Sequence, residues 1–203
     1  MREADNIREV EALGIDLMGF IFWPKSKRYV AERPQYLPTQ VKKVGVFVDA
    51  TLEDIRQHIQ DYQLDIIQLH GHEIPDFIAQ LSIFNFQFSI IKAFNIATAE
   101  DLAQTKPYEG IVDYFLFDTR KPPEETGGWH PPGGTGIQFD WSVLSHYEGT
   151  TPFLLSGGIG PDDAERIKSF HHPRCIGIDL NSRFEIAPGL KDVNQLKDFI
   201  SNL

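Results

Sequence analysis

Asp118 closes a short apolar run, Tyr114-Phe115-Leu116-Phe117. It is followed by a long glycine- and proline-rich connection that finishes in Gly133-Gly134-Thr135-Gly136. Connections of this length in a compact domain are commonly functional. A carboxyl group at the end of a buried strand, facing such a loop, suits catalysis better than packing. Other polar residues and glycines also fall where apolar runs end: Arg28, Asp49, Gln68 with His70, Gly157-Gly158, and Asp179-Leu180-Asn181-Ser182. The last two sets suit a phosphate, since a glycine pair lets the backbone approach an anion and amides after a strand can donate to it. Gly157, Gly158, Asp179, Asn181 and Ser182 are therefore the candidate phosphate cup. His70, His72, His130, His171 and His172 follow no zinc-ligand spacing. No metal or organic cofactor is expected.

The elements that must position these residues follow from apolar periodicity. Ala4, Ile7, Val10 and Leu13 recur at helical spacing, and Gly14 suits a C-terminal cap. The continuous apolar run at residues 17–22 reads as a strand buried on both faces, and the apolar runs at 44–48, 65–69, 90–93, 114–117, 152–156 and 175–180 read as further strands. Between them, helices are expected around residues 34–41, from Thr51 (with Asp54 as its capping partner) to Asp61, from 74 to 81, after Thr98, from Asp140, from Pro161 to Phe170, and from Asp192 to Ile200. Strands alternating with helices imply a parallel sheet. The runs number seven, and the chain begins with a helix that no strand precedes. The expected fold is α/β, a (βα)8 TIM barrel of the phosphate-binding type with its first strand missing. The competing architecture, an open doubly wound sheet, lacks the glycine fingerprint for dinucleotides after its first strand.

The 203 residues suit one domain, and 41% hydrophobic with 24% charged residues is ordinary for a water-soluble protein. A net charge of −10 argues against nucleic acid as a partner. One cysteine allows no internal disulfide, and neither a membrane-spanning run nor a secretory leader is visible. A cytoplasmic monomer or homodimer acting on a small molecule is expected.

Taken together, the motifs resemble those of the phosphoribosylanthranilate isomerases of tryptophan biosynthesis. They are GFIFWPKSKRYV at residues 19–30, VGVFV at 44–48, IIQLHG at 66–71, IKA at 91–93, FLFDT at 115–119, GGTGIQFDW at 133–141, LSGGI at 155–159 and GIDLNSRFEIAPGLKD at 177–192. They span nearly the whole chain in order. The resemblance implies a cofactor-free Amadori rearrangement of N-(5′-phosphoribosyl)anthranilate to 1-(2-carboxyphenylamino)-1-deoxyribulose 5-phosphate. It assigns Asp118 as the general acid that opens the furanose ring and Arg28 as the holder of the anthranilate carboxylate. Gln68 and His70 would line the site, and Gly134, Thr135 and Gly136 would close over the substrate.

One departure stands out. The family's general base is a cysteine at the end of the first strand, and Met1-Arg2-Glu3 aligns with the last part of that motif. The missing strand and the missing cysteine would both precede residue 1. The chain thus reads as truncated, with little or no isomerase activity of its own, and about ten upstream residues should restore it. The gap should also lower stability or favour a dimer that covers it. Cys175, at the start of the last strand, is at the wrong end to substitute. Another sugar-phosphate isomerase or epimerase, or a non-catalytic phosphate-ligand binder, are the alternatives.

Overall fold

The computed structural model describes residues 1–84, 86–119 and 141–203. Seven strands form one parallel sheet in sequence order: β1 (Leu17–Ile21), β2 (Lys42–Phe47), β3 (Ile66–Leu69), β4 (Ser89–Ile96), β5 (Tyr114–Thr119), β6 (Phe153–Leu155) and β7 (Cys175–Ile178). Each strand pairs with the next, and among the described residues no pairing joins β7 back to β1. The sheet is a curled α/β array of the TIM-barrel type, open between its first and last strands. Among the described residues five α-helices accompany it: α1 (Ala4–Glu11), α2 (Leu52–Tyr62), α3 (Pro75–Leu81), α4 (Ala164–Ser169) and α5 (Val193–Ser201).

Alternation along the strands sorts side chains into two apolar layers. On the concave face Val44, Ile66, Ile91, Ala93 and Leu116 are buried together, with Leu17, Val46, Tyr114 and Leu154 packed against them. On the convex face Phe47, Ile67, Leu69, Phe94, Phe115, Phe117 and Phe153 join Ile7, Ile55, Ile59, Ile78 and Phe199 of the helices in one large cluster. Aromatic edges interlock there; the Phe94 and Phe115 rings meet at 5.2 Å and 86°.

Local chemistry sets the helix ends. The Thr51 hydroxyl accepts from the Asp54 amide at 3.1 Å, the expected cap of α2. Asp192 caps α5 through the Gln195 amide at 3.0 Å. The helix expected around residues 34–41 does not form, and the segment runs as bends. Pro34 and Pro38 there lack the amide protons a helix needs. The helix after Thr98 has its cap, with the Asp101 carboxylate accepting from the Thr98 amide at 2.9 Å, but it is a 3-10 helix over Ala99–Tyr108. The segment opening near Asp140 is a short 3-10 turn over Trp141–His146. Two short strands that periodicity does not reveal, β8 (Glu185–Ala187) and β9 (Leu190–Lys191), form an antiparallel hairpin after β7.

Candidate active site

Strand parity brings the candidate residues to one end of the sheet. Ile91 and Ala93 belong to the concave layer, so Asn95, two residues further along β4, continues that face. On β5 the same parity runs through Tyr114 and Leu116 to Asp118, and Asn95 and Asp118 are partners in register. On β3 it runs from Ile66 through Gln68 to His70. The C-terminal ends of parallel strands thus gather Gln68, His70, Asn95, Asp118, Ser156 and Asp179, the face on which TIM-type enzymes carry their chemistry.

Asp118 is 8% exposed, and its Oδ2 lies 3.6 Å from Nε2 of His70. The Gln68 side-chain amide sits 3.3 Å from Nδ1 of His70. An amide N–H donating to Nδ1 leaves the ring proton on Nε2, aimed at Asp118. Among the described residues buried Nε2 has no other partner, so the histidine is held ready to donate to the carboxylate. The Oδ1 of Asn95 is likewise buried without a partner among the described residues, which makes Asn95 a polar site residue the sequence motifs did not single out.

Asp179, expected in the phosphate cup, turns its carboxylate to Ser156, whose hydroxyl donates to it at 2.8 Å. Burial pushes this carboxyl up, and nearby Asp118 adds to the rise. The Ser156 hydrogen bond and the Lys191 ammonium oppose it. Gly157 and Gly158 follow β6 with φ of +90° and +68°, conformations that strain any side chain. Asn181 presents its backbone and side-chain oxygens to the Lys191 ammonium, both at 3.0 Å. Ser182 opens a 3-10 turn to Phe184.

Arg28, in the connection from β1 to β2, is clamped by Glu185. Its Nε lies 3.0 and 2.8 Å from the two carboxylate oxygens and its Nη2 2.7 Å from one of them. Glu185 was visible in the sequence only as part of a longer motif, because its partner lies 157 residues away. Asp49 is turned outward to His72, whose backbone amide donates at 2.6 Å and whose Nδ1 lies at 3.0 Å. Gly71 passes so close to this loop that a Cβ there would come within 2.7 Å of the Asp49 nitrogen. Cys175 is the first residue of β7, at the opposite end of the strands from Asp118. Gly134, Thr135, Gly136 and His130 lie outside the described residues. Among the described residues no three His, Cys, Asp or Glu side chains group to hold a metal ion. None of the helices there is long and apolar enough to cross a membrane.

Comparison with known proteins bears on this arrangement. A family model described as N-(5′-phosphoribosyl)anthranilate (PRA) isomerase matches residues 1–202. A protein of that name from Parabacteroides distasonis is 52% identical, covering all of this chain and 90% of its own length. One from Phocaeicola vulgatus is 46% identical, covering all of this chain and 94% of its own length. Among solved structures, the phosphoribosyl anthranilate isomerase from Thermotoga maritima superimposes with a TM-score of 0.79 at 29% identity, covering all of this chain and 94% of that one. A phosphoribosyl anthranilate isomerase in complex with reduced 1-(o-carboxyphenylamino)-1-deoxyribulose 5-phosphate matches with a TM-score of 0.76 at 28% identity, covering all of this chain and 97% of that one.

Proposed function

The chain belongs to the N-(5′-phosphoribosyl)anthranilate isomerase family, an isomerase of tryptophan biosynthesis, and on that premise we propose how its own residues divide the work. Asp118 is the general acid. It delivers a proton to the furanose ring oxygen of N-(5′-phosphoribosyl)anthranilate as the C1′–O bond breaks and the nitrogen lone pair forms the C1′=N bond, leaving an open-chain protonated imine. The carboxylate so formed faces the Nε2–H of His70, a donor already in place for a charge that develops during the step. Loss of the C2′ proton to a base then gives the enolamine, which relaxes to the ketose. The chain's single thiol, Cys175, is at the wrong end of β7 for that second task.

The substrate would lie across the strand ends, with its phosphate over Gly157, Gly158 and Ser182 and its ring carboxylate at Arg28. A guanidinium suits that carboxylate because it presents paired, coplanar N–H groups. The same reading makes the protein a cytoplasmic monomer or homodimer. The family match disfavours a different sugar-phosphate isomerase and a non-catalytic binder.

The observation that carries this assignment is the buried Asp118 carboxyl beside a histidine whose tautomer Gln68 fixes. Asp118→Asn tests it. Removing a general acid costs about 10²- to 10⁴-fold in rate, so whatever turnover the parent chain shows should fall at least a hundredfold. Calorimetric affinity for the reduced product should stay within about threefold, since the amide keeps the shape of the site. Turnover within tenfold of the parent would overturn the assignment.

A further inference from the structure

Glu185 stands out because it is a nearly inaccessible carboxylate (4% exposed) spent on a candidate substrate-binding cation. Its Oε1 accepts from Arg28 Nε at 3.0 Å and from the Gly189 amide at 3.1 Å, and Lys191 Nζ approaches at 3.4 Å. Its Oε2 takes Arg28 Nε and Nη2 at 2.8 and 2.7 Å. Burial alone would raise this carboxyl, yet the Arg28 hydrogen bonds and Lys191 outweigh it and hold the group below its usual value. Arg28 reaches this clamp from the β1–β2 connection, and Glu185 is held at the start of the β8–β9 hairpin. The guanidinium is therefore fixed to an element at the far edge of the sheet.

We propose that Glu185 is a positioning residue that determines which edge of the Arg28 guanidinium meets the substrate. The clamp consumes the Nε–Nη2 edge. Nη1 takes part in none of these bonds, so the Nη1–Nη2 edge is the one left to pair with a second carboxylate in the same plane. Lys191 is ion-paired with the same Glu185 and bonded to Asn181, so the carboxylate is shared between two cations. A free arginine would sample many rotamers before gripping a carboxylate. A clamped one meets that ordering cost during folding, and ligand affinity rises accordingly. This inference rests on the assignment of Arg28 to the anthranilate carboxylate.

The sign of one substitution separates positioning from plain electrostatics. Glu185→Gln removes a negative charge from beside the ligand carboxylate, which by Coulomb's law alone should tighten binding. Loss of positioning should weaken it. Two ligands are compared by calorimetry on the full chain: the reduced product, and the same compound with a phenyl ring lacking the carboxylate. Glu185→Gln should weaken the first about tenfold, the order of a charge-assisted hydrogen bond, and leave the second within about twofold. Glu185→Asp keeps the charge but withdraws it by one methylene, and should lose the same preference if the first variant folds poorly. Unchanged or tighter binding of the carboxylated ligand by the folded variants overturns the proposal. Arg28→Ala separates it from its premise. If that variant weakens both ligands alike, the Arg28 assignment falls and takes the proposal with it. If it discriminates while the Glu185 variants do not, only the role of Glu185 falls.

Discussion

Lys92 and Glu73 form an ion pair on the convex side of the sheet, behind the loop that carries His70, with side chains 3% and 2% exposed. The Lys92 ammonium donates to the carbonyls of Leu69 (3.3 Å) and Gly71 (2.7 Å) and to Glu73 Oε2 (3.0 Å). Glu73 in turn accepts from the backbone amides of Asp49 (2.9 Å) and Gly71 (3.0 Å). Lys92→Met keeps most of the buried stem and deletes the charge. Removing one member of a buried pair costs roughly 3–5 kcal/mol, because the other charge is left uncompensated. Glu73 would keep its two backbone donors, so the lower end, about 3 kcal/mol, is expected. With a urea slope of about 2–3 kcal/mol/M, the unfolding midpoint should fall by about 1 M. Adding Glu73→Gln removes the stranded charge yet keeps an acceptor for both amides, and the double variant should recover about half of the loss. Equilibrium urea unfolding of the parent, both single variants and the double variant gives the coupling directly. A loss below about 1 kcal/mol for Lys92→Met, or a double variant no more stable than Lys92→Met, would refute the reasoning.

Asp179 has a carboxyl raised by burial, so its charged form is disfavoured in the folded state. Such a group stabilises fully only below the ordinary aspartate value of 3.8, and that contribution is lost as pH rises through the higher folded value. Asp179→Asn should therefore melt at a higher temperature than the parent at pH 7, and the gain should shrink as pH falls toward 4; an equal offset at both pH values would contradict this. Burial also pushes the Cys175 thiol up, leaving less thiolate at a given pH. Iodoacetamide at pH 8 should alkylate the folded chain more slowly than a free-cysteine peptide, as mass spectrometry against time would report, and an equal rate would place the thiol in water.

Much of the fold could be read from the chain because buried parallel strands are near-continuous apolar runs, as at residues 17–22 and 114–117. Helix caps such as Thr51 carry their own local signature. Short-range chemistry failed where two weak signals competed. Around residues 34–41 the expected helix gives way to Pro34 and Pro38, which withhold two amide protons from the backbone. The β8–β9 strands, three and two residues long, are too brief for any periodicity to register. In the site, Asp118, Gln68 and His70 were legible as polar residues ending apolar strands. Asn95 was hidden because it follows Phe94 with no motif of its own, and only counting every second residue from Ile91 brings it to the same face. Glu185 was hidden for a different reason: its significance is a contact with Arg28 across the open edge, which no local pattern encodes.

The apolar layer of Val44, Ile66, Ile91, Ala93 and Leu116 has a consequence for traffic. It forms an apolar floor beneath the polar strand ends. A ligand beside Asp118 is therefore reached from the strand ends or from the open edge between β1 and β7, where no pairing among the described residues closes the way.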